Sequence, residues 1–202
     1  MRLETEAIVC GLTTHGEHGG VVRLLTPELG LIATYVRGAR GRRMRPVLIP
    51  GNLVSAQIRA RTDAQLPQAS LELVHSRAPI LSEPLQAAAI EWSTAIVAAA
   101  LAERQPYPRV YEGMAGLLDA VEAAPSARGW GLALARFEML LLTELGYGRG
   151  GFMPEGSPGW VGLLRGLELS GARLLRELPP GRRQPLEDSR ERLFSRLRRA
   201  GA

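Results

Sequence analysis

Val21-Val22-Arg23-Leu24-Leu25-Thr26-Pro27-Glu28-Leu29-Gly30-Leu31-Ile32-Ala33-Thr34-Tyr35-Val36-Arg37 decides how the first part of this chain folds. Two β-prone runs, Val21 to Thr26 and Leu31 to Arg37, flank Pro27-Glu28-Leu29-Gly30. The proline presets the first turn dihedral, and the glycine can adopt the positive φ that closes a tight connection. The pattern predicts an antiparallel hairpin. On its N-terminal side, Glu6 to Leu12 reads as an opening strand with Ile8, Cys10 and Leu12 on one side and Cys10 in the core. On its C-terminal side Val54, Ala56, Ile58 and Ala60 alternate with Ser55, Gln57, Arg59 and Arg61, the signature of a half-buried strand. A last run places Leu71 and Leu73 inward and Ser70 and Glu72 outward. Five short strands in about 75 residues suit a small closed barrel of the OB type, in which closure removes exposed sheet edges; an SH3-like barrel is the other five-stranded solution.

The same region carries a local charge asymmetry. From Leu29 to Thr62 there is no acidic residue, yet there are seven arginines: Arg37, Arg40, Arg42, Arg43, Arg45, Arg59 and Arg61. Five of them fall in Arg37-Gly38-Ala39-Arg40-Gly41-Arg42-Arg43-Met44-Arg45, which reads as a flexible loop able to follow a phosphate backbone. Each phosphate neutralised releases condensed counterions, so affinity grows with the number of cations engaged. A merely solvated loop is the bland alternative. Tyr35 is the only aromatic near the patch, which gives single-strand stacking weak support and base-specific readout none. All 25 basic residues are arginine, so arginine identity at one site says little and distribution says more. Residues 1–80 and 149–202 are net positive, while 81–148 are net negative. Positive ends around an acidic middle suit a polyanion-binding surface.

Near residue 80 the hydrophobic period lengthens, which sets the expected division into 1–80 and 81–202. Ser82 is expected to cap a helix, with Glu83 and Pro84 in its first turn. Leu85, Ala89, Trp92, Ile96 and Ala99 then recur at helical spacing as far as Gln105-Pro106-Tyr107-Pro108. A second stripe runs through Val110, Met114, Leu117, Leu118 and Val121. The third helix, about Arg128 to Leu145, is apolar almost all round and should be central, with Gly146 ending it. Arg136, one of its few polar residues, is either buried against an acid or exposed at the rim of a groove. Residues 147–160 are rich in Gly and Pro and read as an irregular excursion. Shorter helices follow, about Ser170 to Leu178 and Leu186 to Arg199, separated by Pro179-Pro180-Gly181-Arg182-Arg183. Arg190, Arg192, Arg196, Arg198 and Arg199 make the last one either a second nucleic-acid contact or a solvated helix end. The expected fold class is α+β, a β-barrel followed by an all-α domain.

Several functions are disfavoured by what is missing. No apolar run approaches the roughly 18 residues that span a bilayer, and the N-terminus has no basic segment followed by an apolar stretch, so a soluble cytoplasmic protein is expected. One cysteine cannot supply a disulfide or a thiolate zinc site. His15 and His18 flank Gly16-Glu17 in a predicted turn and could grip a metal only with ligands from elsewhere. There is no phosphate loop, dinucleotide fingerprint, zinc-protease motif or nucleophile elbow. The expectation is a binding protein without catalytic activity, cofactor or small-molecule substrate.

Three strings carry a family likeness: Gly16-Glu17 followed by Val21 to Leu31, then Arg37-Gly38-Ala39-Arg40, and later Arg136-Phe137-Glu138 through Leu141-Leu142 to Leu145-Gly146-Tyr147-Gly148. Together they resemble the RecO family of DNA repair proteins over most of the chain. The first two look like that family's opening hairpin and basic turn, and the third like its central helix and exit. The resemblance implies an OB-fold N-terminal domain, a helical C-terminal domain, and binding of single- and double-stranded DNA. It further implies strand annealing, cooperation with RecR in loading RecA onto strands coated by single-stranded-DNA-binding protein (SSB), and a nucleoid-associated location. It also implies docking of the acidic SSB tail on the helical domain, for which Arg136 and Leu140 are the candidate residues. An acidic peptide with an apolar end needs a cation beside a hydrophobic groove. The likeness departs at one place. Some members carry a four-cysteine zinc module after the central helix, where this chain has only its Gly/Pro-rich stretch. An OB module that binds RNA or another protein is the alternative function.

Overall fold

The computed structural model describes residues 2–60, 62, 65–148 and 159–200. Most of the expected 147–160 excursion, and Arg61 with it, lies outside the described residues. Five strands come first: β1 (Arg2–His15), β2 (Gly19–Thr26), β3 (Gly30–Val36), β4 (Leu53–Arg59) and β5 (Gln68–His75). They close into a barrel in the order β1-β2-β3-β5-β4, the circuit of an OB fold. β1 is long enough to serve two neighbours. Its first half pairs with β4 from Arg2↔Arg59 to Ile8↔Leu53, and its second half pairs with β2 from Ile8↔Leu25 to His15↔Gly19. The last seam is short, a parallel contact at Tyr35↔Gln68.

The predicted hairpin forms, with Thr26↔Gly30 closing the ladder between β2 and β3 and Gly30 at φ 64°. Val54, Ala56 and Ile58 point inward and are fully buried, as the alternation requires. Two expectations fail at the strand ends. In β1 the register shifts between Val9 and Gly11, so Cys10 is an extra residue and the alternation inverts beyond it. Leu12 therefore leaves the side shared by Ile8 and Cys10, pairs with Val22, and is exposed at the barrel rim. In β5 the barrel core ends at Leu71, and Leu73, next to a second register shift, is exposed.

Ahead of the bulge β1 is buried on both faces, because the helices pack on its outer side. Ala7 and Val9 belong to the barrel core, whereas Ile8 and Cys10, with Leu25 and Leu31, belong to the core of the helical part. The barrel wall thus serves as one side of a second hydrophobic layer.

That second layer is built by α1 (Pro84–Ala100), α2 (Pro108–Ala123), α3 (Ala127–Glu144), α4 (Trp160–Glu177) and α5 (Pro180–Ala200). Proline opens three of them, where its missing N–H costs no helical bond. Ser82 does not cap α1: it lies in a 3-10 turn (Ala78–Ser82), and its hydroxyl donates to the Pro79 carbonyl at 2.8 Å. Gly146 adopts φ 80° just after α3, the conformation that stops a helix. The last two helices are longer than their sequence suggests. Of the Pro-Pro-Gly-Arg-Arg segment only Pro179 lies between them; Pro180 begins α5, and Pro185 sits inside it close to the N-terminus. α3 is central, with Trp130, Leu134, Leu141 and Leu142 fully buried.

Candidate nucleic-acid interface

On the barrel, Tyr35, Gln68 and Arg59 fall in one cross-strand row, because Tyr35 pairs with Gln68 and Gln68 pairs with Arg59. Arg37 lies two residues beyond Tyr35 on the same side of the β3 path. These residues line a groove of about 1010 Å³, together with Gln57, Gln65, Leu66 and Ser70. Among the described residues its lining holds two guanidinium groups, several neutral hydrogen-bonding side chains and one aromatic ring, and no carboxylate. Arg2 continues the row by pairing with Arg59 across β1 and β4. Sequence patterning could not find Arg2, since only the register brings it beside Arg59. Like charges directly opposite one another are unfavourable in a free sheet, and an anion between them removes the penalty.

The remaining predicted cations occupy the segment between β3 and β4. It is not a flexible loop. Gly38, at φ 70°, starts a series of tight turns in which Gly41 N–H donates to Gly38 O at 2.8 Å and Met44 N–H to Gly41 O at 3.1 Å. Ala39, Val47 and Leu48 from this segment are buried in the barrel core, so it forms a cap that holds its arginines in place. Arg40, Arg42, Arg43 and Arg45 are exposed on it. Arg40 donates to the Glu17 carbonyl at 3.3 Å and Arg45 to the Arg40 carbonyl at 3.0 Å. Among the described residues, none of Arg37, Arg40, Arg42, Arg43, Arg45 and Arg59 forms an ion pair. Arg37 and Arg59 meet in the groove, and the other four stand on the cap outside its lining.

A second arginine type anchors the cap. Asn52, fully buried, donates to the carbonyls of Pro46 and Val47 at 2.8 and 3.2 Å and accepts the Arg77 backbone N–H at 2.8 Å. The buried Arg77 guanidinium donates to Gly51 O at 2.8 Å and to Asp119 of α2 at 2.5 Å, and it faces Glu122 at 3.5 Å. Glu122 also meets His75 at 2.8 Å. Helix α2 is therefore tied through Arg77 and Asn52 to the segment that displays the cations. Nothing in the local sequence distinguishes Arg77 from the displayed arginines; its separation from them is a product of topology.

In the helical part, Arg136 is exposed on α3 and, among the described residues, has no ion-pair partner. Leu140, one turn further, is half-buried and packs over Gly113 of α2, where a Cβ would meet its Cδ2 at 2.6 Å. The two form a cation beside an apolar surface. In the C-terminal helix the arginines divide: Arg190 is interior, whereas Arg192, Arg198 and Arg199 are exposed. Arg190 is buried against Glu138, Arg192 pairs with Glu91 at 2.5 Å, and Arg198 pairs with Glu168 at 3.2 Å. Arg196 donates to the Pro84 carbonyl at 2.6 Å, and Arg199 to Ser195 O at 3.2 Å. Arg190, Arg192, Arg196 and Arg198 fasten α5 to α1, α3 and α4, while Arg199 bonds only within its own helix. Among the described residues no cluster of three metal-ligating side chains occurs, and no helix is long and apolar enough to cross a membrane.

Comparison with known proteins agrees with this architecture. The family model described as "Recombination protein O N terminal" matches residues 1–77, and that described as "Recombination protein O C terminal" matches 82–149. Curated relatives carry the name DNA repair protein RecO. That of Gluconacetobacter diazotrophicus is 38% identical over 151 residues, covering 73% of this chain and 59% of the relative. That of Caulobacter vibrioides is 36% identical over 149 residues, covering 73% and 60%. That of Nitrobacter hamburgensis is 40% identical over 148 residues, covering 73% and 57%. The chain thus spans about three fifths of the length of the relatives it matches. With two adjoining family models matched in order across more than half of its length, and an OB-type barrel joined to helices at the same place, the chain belongs to the RecO family.

Proposed function

We propose that this chain is a DNA repair and recombination mediator that binds single- and double-stranded DNA through its barrel and anneals complementary strands without catalytic chemistry. The supporting observation is the set of outward arginines on the groove and cap, none of which makes an ion pair among the described residues. A polyanion is the partner such a set lacks. Annealing needs nothing more elaborate, because a cationic surface that neutralises two strands lets them approach, and base pairing then drives the reaction. Family membership supports cooperation with RecR in loading RecA onto SSB-coated strands, a location in the cytoplasm at the nucleoid, and capture of the acidic SSB tail beside Arg136 and Leu140. No enzymatic activity, cofactor, small-molecule substrate or membrane partner belongs to this function.

The test is annealing of complementary SSB-coated oligonucleotides. Acceleration by the wild-type chain, lost when Arg37 and Arg59 are both changed to Glu, is the expected result. Absence of acceleration by the folded wild type would refute the mediator function. If the chain instead prefers RNA over DNA of equal length across a salt series, an RNA-binding OB module replaces it.

A further inference from the structure

We propose that Tyr35 is a base-stacking platform, so that the groove takes an unpaired strand with one base on the tyrosine ring and its flanking phosphates on Arg37 and Arg59. The inference rests on the DNA-binding function proposed above and names which form of DNA the groove selects.

The geometry around Tyr35 is built from the glycine opposite it. A Cβ placed on Gly19 would lie 2.3 Å from the Tyr35 hydroxyl oxygen and 2.5 Å from both Cε2 and Cζ. Such a point lies out of the ring plane, beside the hydroxyl end of the ring. The hydroxyl end of the tyrosine therefore occupies the space above β2 that any side chain at 19 would fill. Tyr35 is half-buried and lines the groove. The exposed ring of His15 stands 6.1 Å away at 83°, perpendicular to it. Among the described residues neither an aromatic ring nor a guanidinium is stacked parallel on Tyr35. An aromatic ring anchored at its hydroxyl end and lining a groove between two arginines is what an unstacked base requires, and it is sequence-tolerant because every base has a π-face.

Charge is placed to suit. Arg37 lies two residues on, just past the end of β3, and Arg59 lies two strands across in the same row, roughly 10 Å away at ordinary strand spacing. Cations on two sides of a ring allow a backbone to run past while one base turns inward. Duplex DNA keeps its bases stacked on one another and offers none to Tyr35. The cap arginines contact phosphates of either form, whereas the groove distinguishes them.

The experiment compares wild type, Tyr35→Leu, Tyr35→Phe and the double variant Arg37→Glu/Arg59→Glu by fluorescence anisotropy. The probes are a single-stranded oligonucleotide, the same oligonucleotide with abasic sites, and a duplex of equal length. On the intact single strand the Leu variant should bind about ten-fold more weakly, with duplex affinity within about two-fold of wild type and the Phe variant unchanged. Wild type should prefer the base-bearing strand over the abasic one, and the Leu variant should lose that preference. The abasic comparison in wild type needs no substitution and holds even if a variant folds poorly. Equal wild-type affinity for base-bearing and abasic strands overturns the platform. So does an equal loss on single strand and duplex in the Leu variant. If the double arginine variant loses binding while the Leu variant does not, the platform falls and the DNA-binding groove stands. If neither change affects binding, both fall.

Discussion

The Arg190 guanidinium lies in the interior of the helical part and grips Glu138 with both terminal nitrogens, at 2.5 and 3.3 Å. Glu138 is fully buried at the centre of α3, and the same carboxylate accepts the Trp92 indole N–H at 2.7 Å and the Ser170 hydroxyl. Arg190 also donates to the Leu167 carbonyl and stacks over Trp92 at 4.7 Å. One ion pair therefore joins α1, α3, α4 and α5. Gly171 is part of the arrangement, since a Cβ there would stand 2.3 Å from the guanidinium.

Removing one partner strands the other charge away from water. Arg190→Ala should cost about 3–5 kcal/mol of folding free energy, measured by denaturant unfolding. Replacing both partners, Glu138→Leu with Arg190→Met, should recover most of that loss. A cost below about 1 kcal/mol for Arg190→Ala would show that the pair is solvated.

Gly30 closes the hairpin at φ 64°, and the connection between α1 and α2 presses on it: a Cβ there would fall 1.8 Å from the Gln105 carbonyl oxygen. Arg104 N–H donates to Leu31 O at 2.8 Å in the same contact. Gly30→Ala should lower the thermal midpoint by several degrees, with a loss of about 2 kcal/mol or more, because positive φ and overpacking both oppose it. An unchanged midpoint would mean that the helices do not rest on this turn.

Cys10 is buried between the barrel wall and α1, and burial pushes its thiol up from 9.0 to about 12. It should stay unreactive toward a disulfide reagent at pH 8 in the native chain and react fully in denaturant. The thiol is held neutral by the fold, so its contribution to stability is complete below pH 9 and is lost as pH rises from about 9 toward 12. Over that interval stability should fall, by up to about 1.4 kcal/mol per pH unit. A Cys10→Ala variant should show a correspondingly shallower decline. Rapid native labelling at pH 8 would contradict the burial.

Arg136→Ala should weaken binding of a fluorescent SSB-tail peptide about ten-fold or more, as expected for loss of a charge-assisted contact, without altering thermal stability, since the side chain is exposed and has no ion-pair partner among the described residues. Wild-type peptide affinity in this variant would remove Arg136 from the contact.

How much of this was written in the sequence depended on the range of each interaction. The hairpin, the inward face of β4 and the apolar stripes of α1 to α3 follow from period and turn chemistry, which are local. The exposure of Leu12 and Leu73 does not, because a bulge and the end of a barrel are fixed by pairing partners. The five arginines from 37 to 45 were legible as a cluster, yet their support was not: it comes from Asn52 and Arg77, the latter more than thirty residues from the cluster. Arg190 was read as surface charge for the same reason, since its partner Glu138 is 52 positions away. The role of Tyr35 needed Gly19 at its hydroxyl end and Arg59 in its row, neighbours that only the register supplies.

The most direct measurement is the affinity of the chain for a single-stranded oligonucleotide across a salt series, compared with a variant carrying Glu at Arg40, Arg42 and Arg43. If these cap arginines meet phosphates, the wild-type plot of log affinity against log salt is steep, and the variant binds more weakly with a slope smaller by about 2, at roughly 0.7 per lost contact. A folded variant with the wild-type slope and affinity would contradict nucleic-acid binding by the displayed arginines.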